Sequence, residues 1–292
     1  MEDEYCVADA NRFAAIFDGH GGGRVSRFLQ QSLWPTIQAE LDLLTDLDDD
    51  DDEDTTDKND TIRTYATAVR RAFQHLDRRI HDDRSLRYQG STAVAVWVHT
   101  TTNAAAAAAA GAQAKDTTTA APYRTLLAAN IGDSRAVLSR SGTAVELTRD
   151  HKPNDAVERA RLQAMGETIE WDRFAKVHRV RNLSLSRALG DVYARPAVSG
   201  EVDLQHFPIQ EGKDEFVVLA SDGLWDTMSS QDAVSFVHEK LLQAEAASSD
   251  RRADRDNYRT VVRRHMSKYL TREALNRGSG DNICVVVIWL QD

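Results

Sequence analysis

The stretch Phe13–Gly22, F-A-A-I-F-D-G-H-G-G, joins a short apolar run to a polar turn. The five consecutive apolar residues Phe13–Phe17 are typical of a strand, and the Asp-Gly pair after them is typical of a turn. A helix is predicted next, because apolar residues recur three or four positions apart at Val25, Phe28, Leu29 and Leu33. The stretch therefore predicts a strand, a turn that presents a carboxylate and a histidine, and a helix.

The same patterns outline the rest of the chain. Three successive strands without an intervening helix are predicted at Thr92–Val98, Tyr123–Ala129 and Ala136–Ser139. Consecutive strands joined by turns or loops pair antiparallel more readily than parallel. Further helices are predicted at Tyr65–Ile80, Asp155–Met165, Ser230–Leu242 and Tyr258–Leu275, and further strands at Glu215–Ala220 and Ile283–Leu290. Strands grouped between helices at the front and back predict an α+β fold rather than a doubly wound sheet.

Three polar or low-complexity segments interrupt this pattern. Asp46–Asp60 is strongly acidic and has no apolar residue after Leu47, which predicts a solvated loop. An alanine- and threonine-rich stretch over about residues 103–121 is predicted to be a second inserted loop. The polar stretch Glu245–Asp256 is predicted to join two helices.

Composition restricts the classes of function. The formal charge of −10 argues against a nucleic-acid partner, although the acidic run 46–54 supplies most of it. No run of about 18 apolar residues predicts a membrane span, and the N-terminus has no basic region followed by an apolar run. Cys6 and Cys284 are the two cysteines, which favours a reducing compartment. We therefore expect a monomer in the cytoplasm, the nucleus or both.

Three aspartates share one kind of setting. Asp18 and Asp222 each follow a predicted strand, Asp281 precedes one, and all three are flanked by glycine, which lets the backbone bend and a small ligand approach. Oxygen donors without nearby cysteine favour Mg²⁺ or Mn²⁺ over Zn²⁺. Asp-Gly is also an ordinary turn pair, so any one of the three could be a plain turn. Together, and with His20 two residues after Asp18, they predict a metal site.

A set of short motifs follows in one order along the whole chain. They are M-E-D at Met1–Asp3, D-G-H-G-G at Asp18–Gly22, G-S-T-A at Gly90–Ala93, G-D-S-R-A at Gly132–Ala136, D-H-K-P at Asp150–Pro153, S-R-A-L-G-D at Ser186–Asp191, S-D-G-L-W-D at Ser221–Asp226 and D-N at Asp281–Asn282. Each motif alone is weak, but the ordered set is specific. In these motifs the chain resembles the metal-dependent protein serine/threonine phosphatases of type 2C.

The resemblance implies a fold and a domain organisation. The expected architecture is an antiparallel β-sandwich with helices on both outer faces, in α/β/β/α layers. One catalytic domain is expected over residues 1–292, with a surface flap over about residues 150–181 beside the active site. From the residues alone, a plain helix-and-loop insertion is an alternative to the flap.

The resemblance also implies a metal centre of two Mg²⁺ or Mn²⁺ ions, with a possible third. Asp18 would bridge the two ions. The remaining roles would be Glu2 and the carbonyl of Gly19 on one ion, Asp222 and Asp281 on the other, Asp3 behind these ligands, and Asp133 and Asp226 with Asp222 at the third, weaker position. The substrates implied are phosphoserine and phosphothreonine in proteins.

The chemistry expected of such a centre is direct hydrolysis. Two metal ions about 4 Å apart lower the pKa of a bridging water and hold the attacking and phosphoryl oxygens in line. The leaving group is an alkoxide and needs a proton, which His20 would donate as the general acid. A buried histidine that only packs the turn is the alternative for His20.

One departure from the family pattern concerns phosphate binding. Family members carry an arginine a few residues before the M-E-D motif, whereas this sequence starts at Met1. Either the N-terminus is truncated, so that the arginine and the family's N-terminal strand are missing, or a residue such as Arg12 or Arg24 replaces the arginine. We favour truncation. A pseudophosphatase that binds a partner without efficient catalysis is the rival function.

A second rival is a cysteine-dependent phosphatase. Cys6 and Arg12 fit its C-x₅-R loop. Such a loop needs backbone N–H groups turned toward the phosphate and a thiolate of low pKa. The absence of glycine between Cys6 and Arg12 makes this reading unfavourable.

Overall fold

The computed structural model describes residues 2–48, 58–101, 123–247 and 252–291. Within these ranges the strands are β1 Glu4–Ala8, β2 Phe13–Phe17, β3 Gly19–His20, β4 Gly90–Ser91, β5 Ala93–Thr101, β6 Tyr123–Ile131, β7 Arg135–Arg140, β8 Thr143–Glu146, β9 Glu170–Asp172, β10 Val177–Arg179, β11 Leu189–Gly190, β12 Asp203–Pro208, β13 Asp214–Ala220 and β14 Val285–Trp289. The helices are α1 Arg24–Asp48, α2 Lys58–Asp82, α3 Ala156–Ala164, α4 Asp222–Trp225, α5 Ser230–Ala247, α6 Arg252–Arg264 and α7 Met266–Asn276.

The first large sheet has five antiparallel strands in the order β1-β2-β5-β6-β12. Every residue of β2 is buried, because both of its faces are covered. Phe13, Ala15 and Phe17 pack in a cluster with α1 and α2, whereas Ala14 and Ile16 pack in a cluster with the second sheet. Since successive side chains of a strand point to opposite faces, burial on both sides produces a continuous apolar run.

The second large sheet has four antiparallel strands in the order β14-β13-β7-β8. Val217 and Leu219 of β13 face the first sheet, and Phe216 and Val218 face the cluster that includes α5, α6 and α7. The layers are therefore helices, sheet, sheet and helices. This confirms the predicted antiparallel β-sandwich with helices on both outer faces.

The strand pairing brings the predicted site residues to one end of the sandwich. Thr92 precedes β5 and exchanges a backbone hydrogen bond with Asp18, which follows β2. In the second sheet Ala220 pairs with Val285, so the end of β13 and the start of β14 lie side by side. Asp222 follows β13, and Asp281 precedes β14. Three sequence-distant aspartates are therefore presented at one end of the fold.

Several predicted boundaries are wrong. Helix α1 extends to Asp48 and α2 begins at Lys58, so both ends of the predicted acidic loop 46–60 are helical, and residues 49–57 lie outside the described residues. Helices α5 and α6 likewise extend into the predicted linker Glu245–Asp256, because polar composition does not prevent a helix when its other face is packed. The predicted alanine-rich loop, about 103–121, lies outside the described residues.

The predicted single helix Tyr258–Leu275 is two helices that meet at His265. Val262 before the break and Met266, Leu270 and Ala274 after it are buried in one apolar cluster. The apolar pattern is therefore uninterrupted across the break, which hides it in the sequence. None of the helices in the described ranges combines the length and apolar character that a membrane crossing needs.

Strand β1 does not form the phosphate loop of a cysteine-dependent phosphatase. Cys6 pairs with Ala15 of β2 within a hairpin, and Arg12 pairs with Asp9 in the hairpin turn at 2.5 Å. Burial raises the pKa of the Cys6 thiol, which disfavours the thiolate that such an enzyme needs. The structure gives this rival no support.

The segment predicted as a flap contains α3 and the β9–β10 hairpin. Its residues Leu162 and Val180 are buried in a small apolar cluster with residues that follow the segment, among them Leu185 and Ala188. The fully buried Glu158 of α3 accepts hydrogen bonds from Arg187 at 2.6 Å, Ser186 at 2.8 Å and Arg161 at 2.9 Å. Burial alone would raise the pKa of Glu158, but the hydrogen bonds outweigh it and lower that pKa to about 2. The ionised Glu158 thus connects α3 to Ser186 and Arg187, which follow the flap segment.

Replacing this carboxylate tests that connection. At neutral pH, Glu158→Gln is expected to lower the free energy of unfolding by about 2–4 kcal/mol, because two arginines lose a buried charged partner. The folded-state pKa lies below the unfolded one, so this stabilisation is present above the unfolded pKa and is lost as pH falls toward 2. Thermal unfolding should show parent and variant converging across that range.

The pair of Glu167 and Arg181, at 2.7 Å in the same segment, has an exposed arginine and provides the matched control. Glu167→Gln should change the unfolding temperature less than Glu158→Gln. Equal effects of the two substitutions would contradict the role of Glu158.

Candidate active site

The backbone of Asp18 is held from both sides by Thr92. The Asp18 N–H donates to Thr92 Oγ1 at 3.2 Å, and the Thr92 N–H donates to the Asp18 carbonyl at 2.9 Å. Thr92 Oγ1 lies 2.7 Å from Ser134 Oγ. The G-S-T-A and G-D-S-R-A motifs therefore act together to fix the turn that presents Asp18.

The start of α4, where Asp222 lies, is fixed by the segment that follows Asp281. The Ser221 N–H donates to the carbonyl of Cys284 at 3.1 Å, and the Cys284 N–H donates to Ser221 Oγ at 3.0 Å. A Cβ on Gly223 would lie 2.0 Å from the carbonyl oxygen of Asn282, so only glycine allows this approach. The S-D-G motif and the D-N segment are thus packed directly against each other.

Three of the predicted carboxylates lie close together. The Asp18 side chain is near enough to those of Asp222 and Asp3 for each of them to affect its ionisation. The buried Asp3 also accepts from Ser221 Oγ at 2.8 Å, while its second oxygen, Oδ1, is buried without a partner. Burial, reinforced by the neighbouring carboxylates, raises the pKa of both Asp18 and Asp222. The cluster therefore favours the arrival of positive charge.

Glu2 and Ser26 both pack closely against Gly19, where an added Cβ would lie 2.7 Å from the Glu2 carbonyl oxygen and 2.7 Å from Ser26 Oγ. The Ser26 hydroxyl donates to the Glu2 carbonyl at 2.5 Å, and the Glu2 N–H donates to Asn282 Oδ1 at 3.3 Å. Gly19 pairs with Ser91 in the short sheet β11-β4-β3. Glu2 thus lies between the Gly19 turn and the D-N segment, which are the two parts of the expected metal centre.

The outer predicted residues are less closely gathered. The Asp281 Oδ1 accepts the N–H of Asn282 at 2.6 Å, and the charge of Asp281 acts on Asp222 and Asp3. Asp133 is buried and Asp226 is largely exposed. Lys152 Nζ lies between them, 4.0 Å from Asp133 Oδ2 and 3.5 Å from Asp226 Oδ1.

The donor chemistry of this cluster fits a hard divalent cation. Oxygen donors predominate, Asp18 and Asp222 are half-buried, and the buried Asp3 offers an unpartnered oxygen. Among the described residues, no three side chains of His, Cys, Asp or Glu are arranged closely enough to enclose a metal ion as they stand. The residues thus supply the ligands without a preformed cage.

His20 is paired with a carboxylate that sequence reasoning did not assign. His20 Nε2 lies 2.6 Å from Oδ2 of the fully buried Asp191. A Cβ on Gly90 would lie 2.2 Å from that oxygen and 2.6 Å from His20 Nε2, so this glycine makes room for the pair. Burial lowers the pKa of His20, but the hydrogen bond and charge of Asp191 outweigh it and the net shift is upward. The pair favours a protonated imidazole beside the carboxylate cluster.

Sequence reasoning also missed Lys152, Thr92 and Ser134. All three, like Asp191, lie within the ordered motifs of the sequence, so the motifs indicate that these residues matter. The sequence does not show which motif contacts which.

Neither arginine suggested as a phosphate ligand contacts the cluster. Arg12 lies in the turn before β2, at the opposite end of that strand from Asp18. Arg24 donates to Ser85 Oγ at 2.9 Å and lies 3.5 Å from Asp83.

Comparison with known proteins finds relatives that match the whole chain. The chain is 34% identical to probable protein phosphatase 2C 75 of Arabidopsis thaliana over 100% of its own length and 69% of that protein. It is 31% identical to probable protein phosphatase 2C 52 of Oryza sativa subsp. japonica, covering 100% of this chain and 48% of the relative. The chain thus spans about half to two thirds of the length of these relatives.

Solved structures share the fold. A serine-threonine phosphatase 2C from Toxoplasma gondii matches with a TM-score of 0.70 at 18% identity, over 99% of this chain and 90% of that one. A sex-determining protein of C. elegans matches with a TM-score of 0.65 at 26% identity, over 96% of this chain and 56% of that one. The family model described as "Protein phosphatase 2C" matches residues 4–283. Because this match spans nearly the whole chain, the chain belongs to the protein phosphatase 2C family of serine/threonine phosphatases.

Proposed function

We propose that this chain hydrolyses phosphoserine and phosphothreonine in proteins, with Mg²⁺ or Mn²⁺ as cofactors. The observation that supports this most directly is the close approach of Asp3, Asp18 and Asp222 at one end of the sandwich, with the His20–Asp191 pair nearby. A catalytic domain over residues 1–292, with a flap over about 150–181, is part of the same proposal.

The expected ligands follow from position. Asp18, at the centre of the cluster, is the residue best placed to contact two ions, and its neighbours would complete them: Glu2, the carbonyl of Gly19, Asp222 and Asp281. Asp3 would orient this set through its hydrogen bond with Ser221 and its position close to Asp18. When bound, the divalent ions supply Lewis-acid stabilisation of the phosphoryl oxygens and lower the pKa of water.

His20 is the proposed general acid. Its Nε2 hydrogen bonds to Asp191, so Nδ1 is the atom left to donate a proton to the departing serine or threonine oxygen. Asp191 fixes the ring orientation and stabilises the protonated form. His20 is two residues after Asp18 in the sequence, which places it next to the proposed metal ligands.

The proposal predicts strictly metal-dependent activity. A phosphoserine or phosphothreonine peptide should be hydrolysed in millimolar Mn²⁺ or Mg²⁺, and release of phosphate should stop with chelator and resume when the metal is restored. A phosphotyrosine peptide of the same sequence serves as the control and should react more slowly. Full activity in chelator would contradict the proposal, and a folded protein without activity in any metal would favour the pseudophosphatase reading.

The cellular setting belongs to the proposal as well. We place the activity in the cytoplasm or the nucleus, as a monomer that acts on phosphoproteins without binding nucleic acid or membrane. The free Cys6 and Cys284 are consistent with a reducing compartment.

A further inference from the structure

The acidic end of the sandwich contains a lysine whose position the proposed chemistry does not explain. Lys152 Nζ lies 3.5 Å from Asp226 Oδ1 and 4.0 Å from Asp133 Oδ2. The fully charged lysine is favoured here, because the charges of Asp133, Asp226, Asp150 and Asp222 outweigh the effect of burial and raise its pKa.

The backbone of Lys152 is held in this place by its neighbour His151. The Gly132 N–H donates to His151 Nδ1 at 3.1 Å, so His151 Nε2 must carry the proton that it shares with Asp203 at 2.9 Å. The His151 N–H donates to the Gly132 carbonyl at 2.9 Å. The D-H-K-P segment is therefore fastened to the loop that presents Asp133, and the approach of Lys152 to this carboxylate follows from the fold.

The other cation nearby is already committed. Arg135 forms a two-pronged pair with Asp150, with distances of 2.9 and 2.7 Å, and its guanidinium lies 5.2 Å from the ring centre of Trp225. Lys152 is consequently the cation available to Asp133 and Asp226. Asp133 is only 3% exposed, and in the described part of the chain its side chain has no hydrogen-bond partner on another side chain.

We propose that Lys152 is an internal counter-ion of the Asp133–Asp226 pair that competes with a divalent cation for these two carboxylates. The proposal rests on the proposed function in one respect, namely that divalent ions bind at this end of the fold. Its consequence is that a further ion next to Asp222 binds weakly, because the ammonium must first move away.

The test measures binding of Mn²⁺ alone, by calorimetry and by electron paramagnetic resonance of the free ion. Lys152→Met keeps much of the side-chain length and removes the charge, so the weakest site should bind Mn²⁺ at least about tenfold more tightly than in the parent. Lys152→Arg, which retains the charge, should bind like the parent. Lys240→Met removes an exposed lysine of α5 and should also bind like the parent.

A second substitution locates the effect. Asp226 is largely exposed, so Asp226→Asn should be tolerated, and adding it to Lys152→Met should remove the gained affinity.

A second measurement uses the parent protein, in case Lys152→Met does not fold. Saturating Mn²⁺ should raise the rate at which an amine-reactive reagent labels Lys152, measured by mass spectrometry, and should leave Lys240 unchanged.

The outcomes separate this inference from the proposed function. If the parent binds Mn²⁺ and hydrolyses phosphopeptides but Lys152→Met leaves every affinity unchanged, the competition is refuted and the function stands. If the parent binds no tight Mn²⁺ but Lys152→Met gains a site, the competition stands and the metal-dependent function fails. Unchanged labelling of Lys152 across the Mn²⁺ titration would also refute the competition.

Discussion

Asp222→Asn is expected to lower the turnover of a phosphoserine peptide at least about a hundredfold, since it removes a charged ligand from the proposed catalytic centre. The same substitution should not lower the stability of the protein in chelator, and should raise it. Burial and the charges of Asp133, Asp226 and Asp281 disfavour ionised Asp222, and an amide of equal size removes that charge. Loss of activity with a gain in stability is unusual for a buried substitution, where destabilisation is the common result.

The dependence on pH has a definite sign. The folded-state pKa of Asp222 is raised to about 7, so the folded protein holds a proton that the unfolded chain releases at lower pH. Stability in chelator should therefore fall as pH rises from about 4 toward 7, and it should fall less in Asp222→Asn. Thermal unfolding at fixed ionic strength across this range provides the measurement.

Asp214 is a matched control, because it is a buried aspartate at the other end of β13 with a cation beside it. Arg140 donates to it at 2.6 and 3.0 Å, and the N–H of Gln210 donates at 2.8 Å. Asp214→Asn should lower the unfolding temperature and leave turnover per folded molecule nearly unchanged. If Asp222→Asn instead behaves like Asp214→Asn, then Asp222 is a structural residue and the metal proposal loses a central ligand.

The contrast between Asp222 and Asp214 shows what the sequence could indicate. Asp18 and Asp222 were found because they follow β2 and β13, whose burial on both faces gives continuous apolar runs. Glycine after each is typical of a tight turn. Those are local signals, and both strands end as predicted, β2 directly before Asp18 and β13 two residues before Asp222. The turn predicted at Asp222 is wrong, because Asp222 begins the short helix α4. The sequence did not show which charged residue lies beside each, and for Asp214 it gave no hint of Arg140.

Contacts between distant segments were the part that could not be predicted. His20 and Asp191 are 171 residues apart and meet through β3, β4 and β11, which are two residues long and too short to show any periodicity. Lys152 reaches Asp133 through His151, whose two ring nitrogens bond to Gly132 and Asp203. Such contacts depend on the whole topology, so the family motifs identified the participants without giving their partners.

His20→Gln and Asp191→Asn are expected to slow the hydrolysis of phosphoserine peptides selectively. A serine alkoxide needs a proton as it leaves, and loss of a general acid costs about a hundredfold or more. An aryl phosphate such as 4-nitrophenyl phosphate has a leaving group that scarcely needs protonation, so its turnover should fall much less. Asp191→Asn preserves the size of the His20 partner but removes the charge that favours protonated His20, so its effect should have the same selectivity and a smaller size.

The control is a second pair of histidine and aspartate, His151 with Asp203 at 2.9 Å, in which the histidine is buried. His151→Gln removes a histidine that holds Gly132 and the D-H-K-P segment, and it should affect both substrates alike because no proton transfer is assigned to it. The ratio of the two turnovers, peptide over aryl phosphate, is therefore the decisive quantity. A large fall in this ratio for His20→Gln and Asp191→Asn, with none for His151→Gln, identifies proton donation at His20. An unchanged ratio in all three would mean that the His20–Asp191 pair only orders the Asp18 turn, and another group would have to protonate the leaving oxygen.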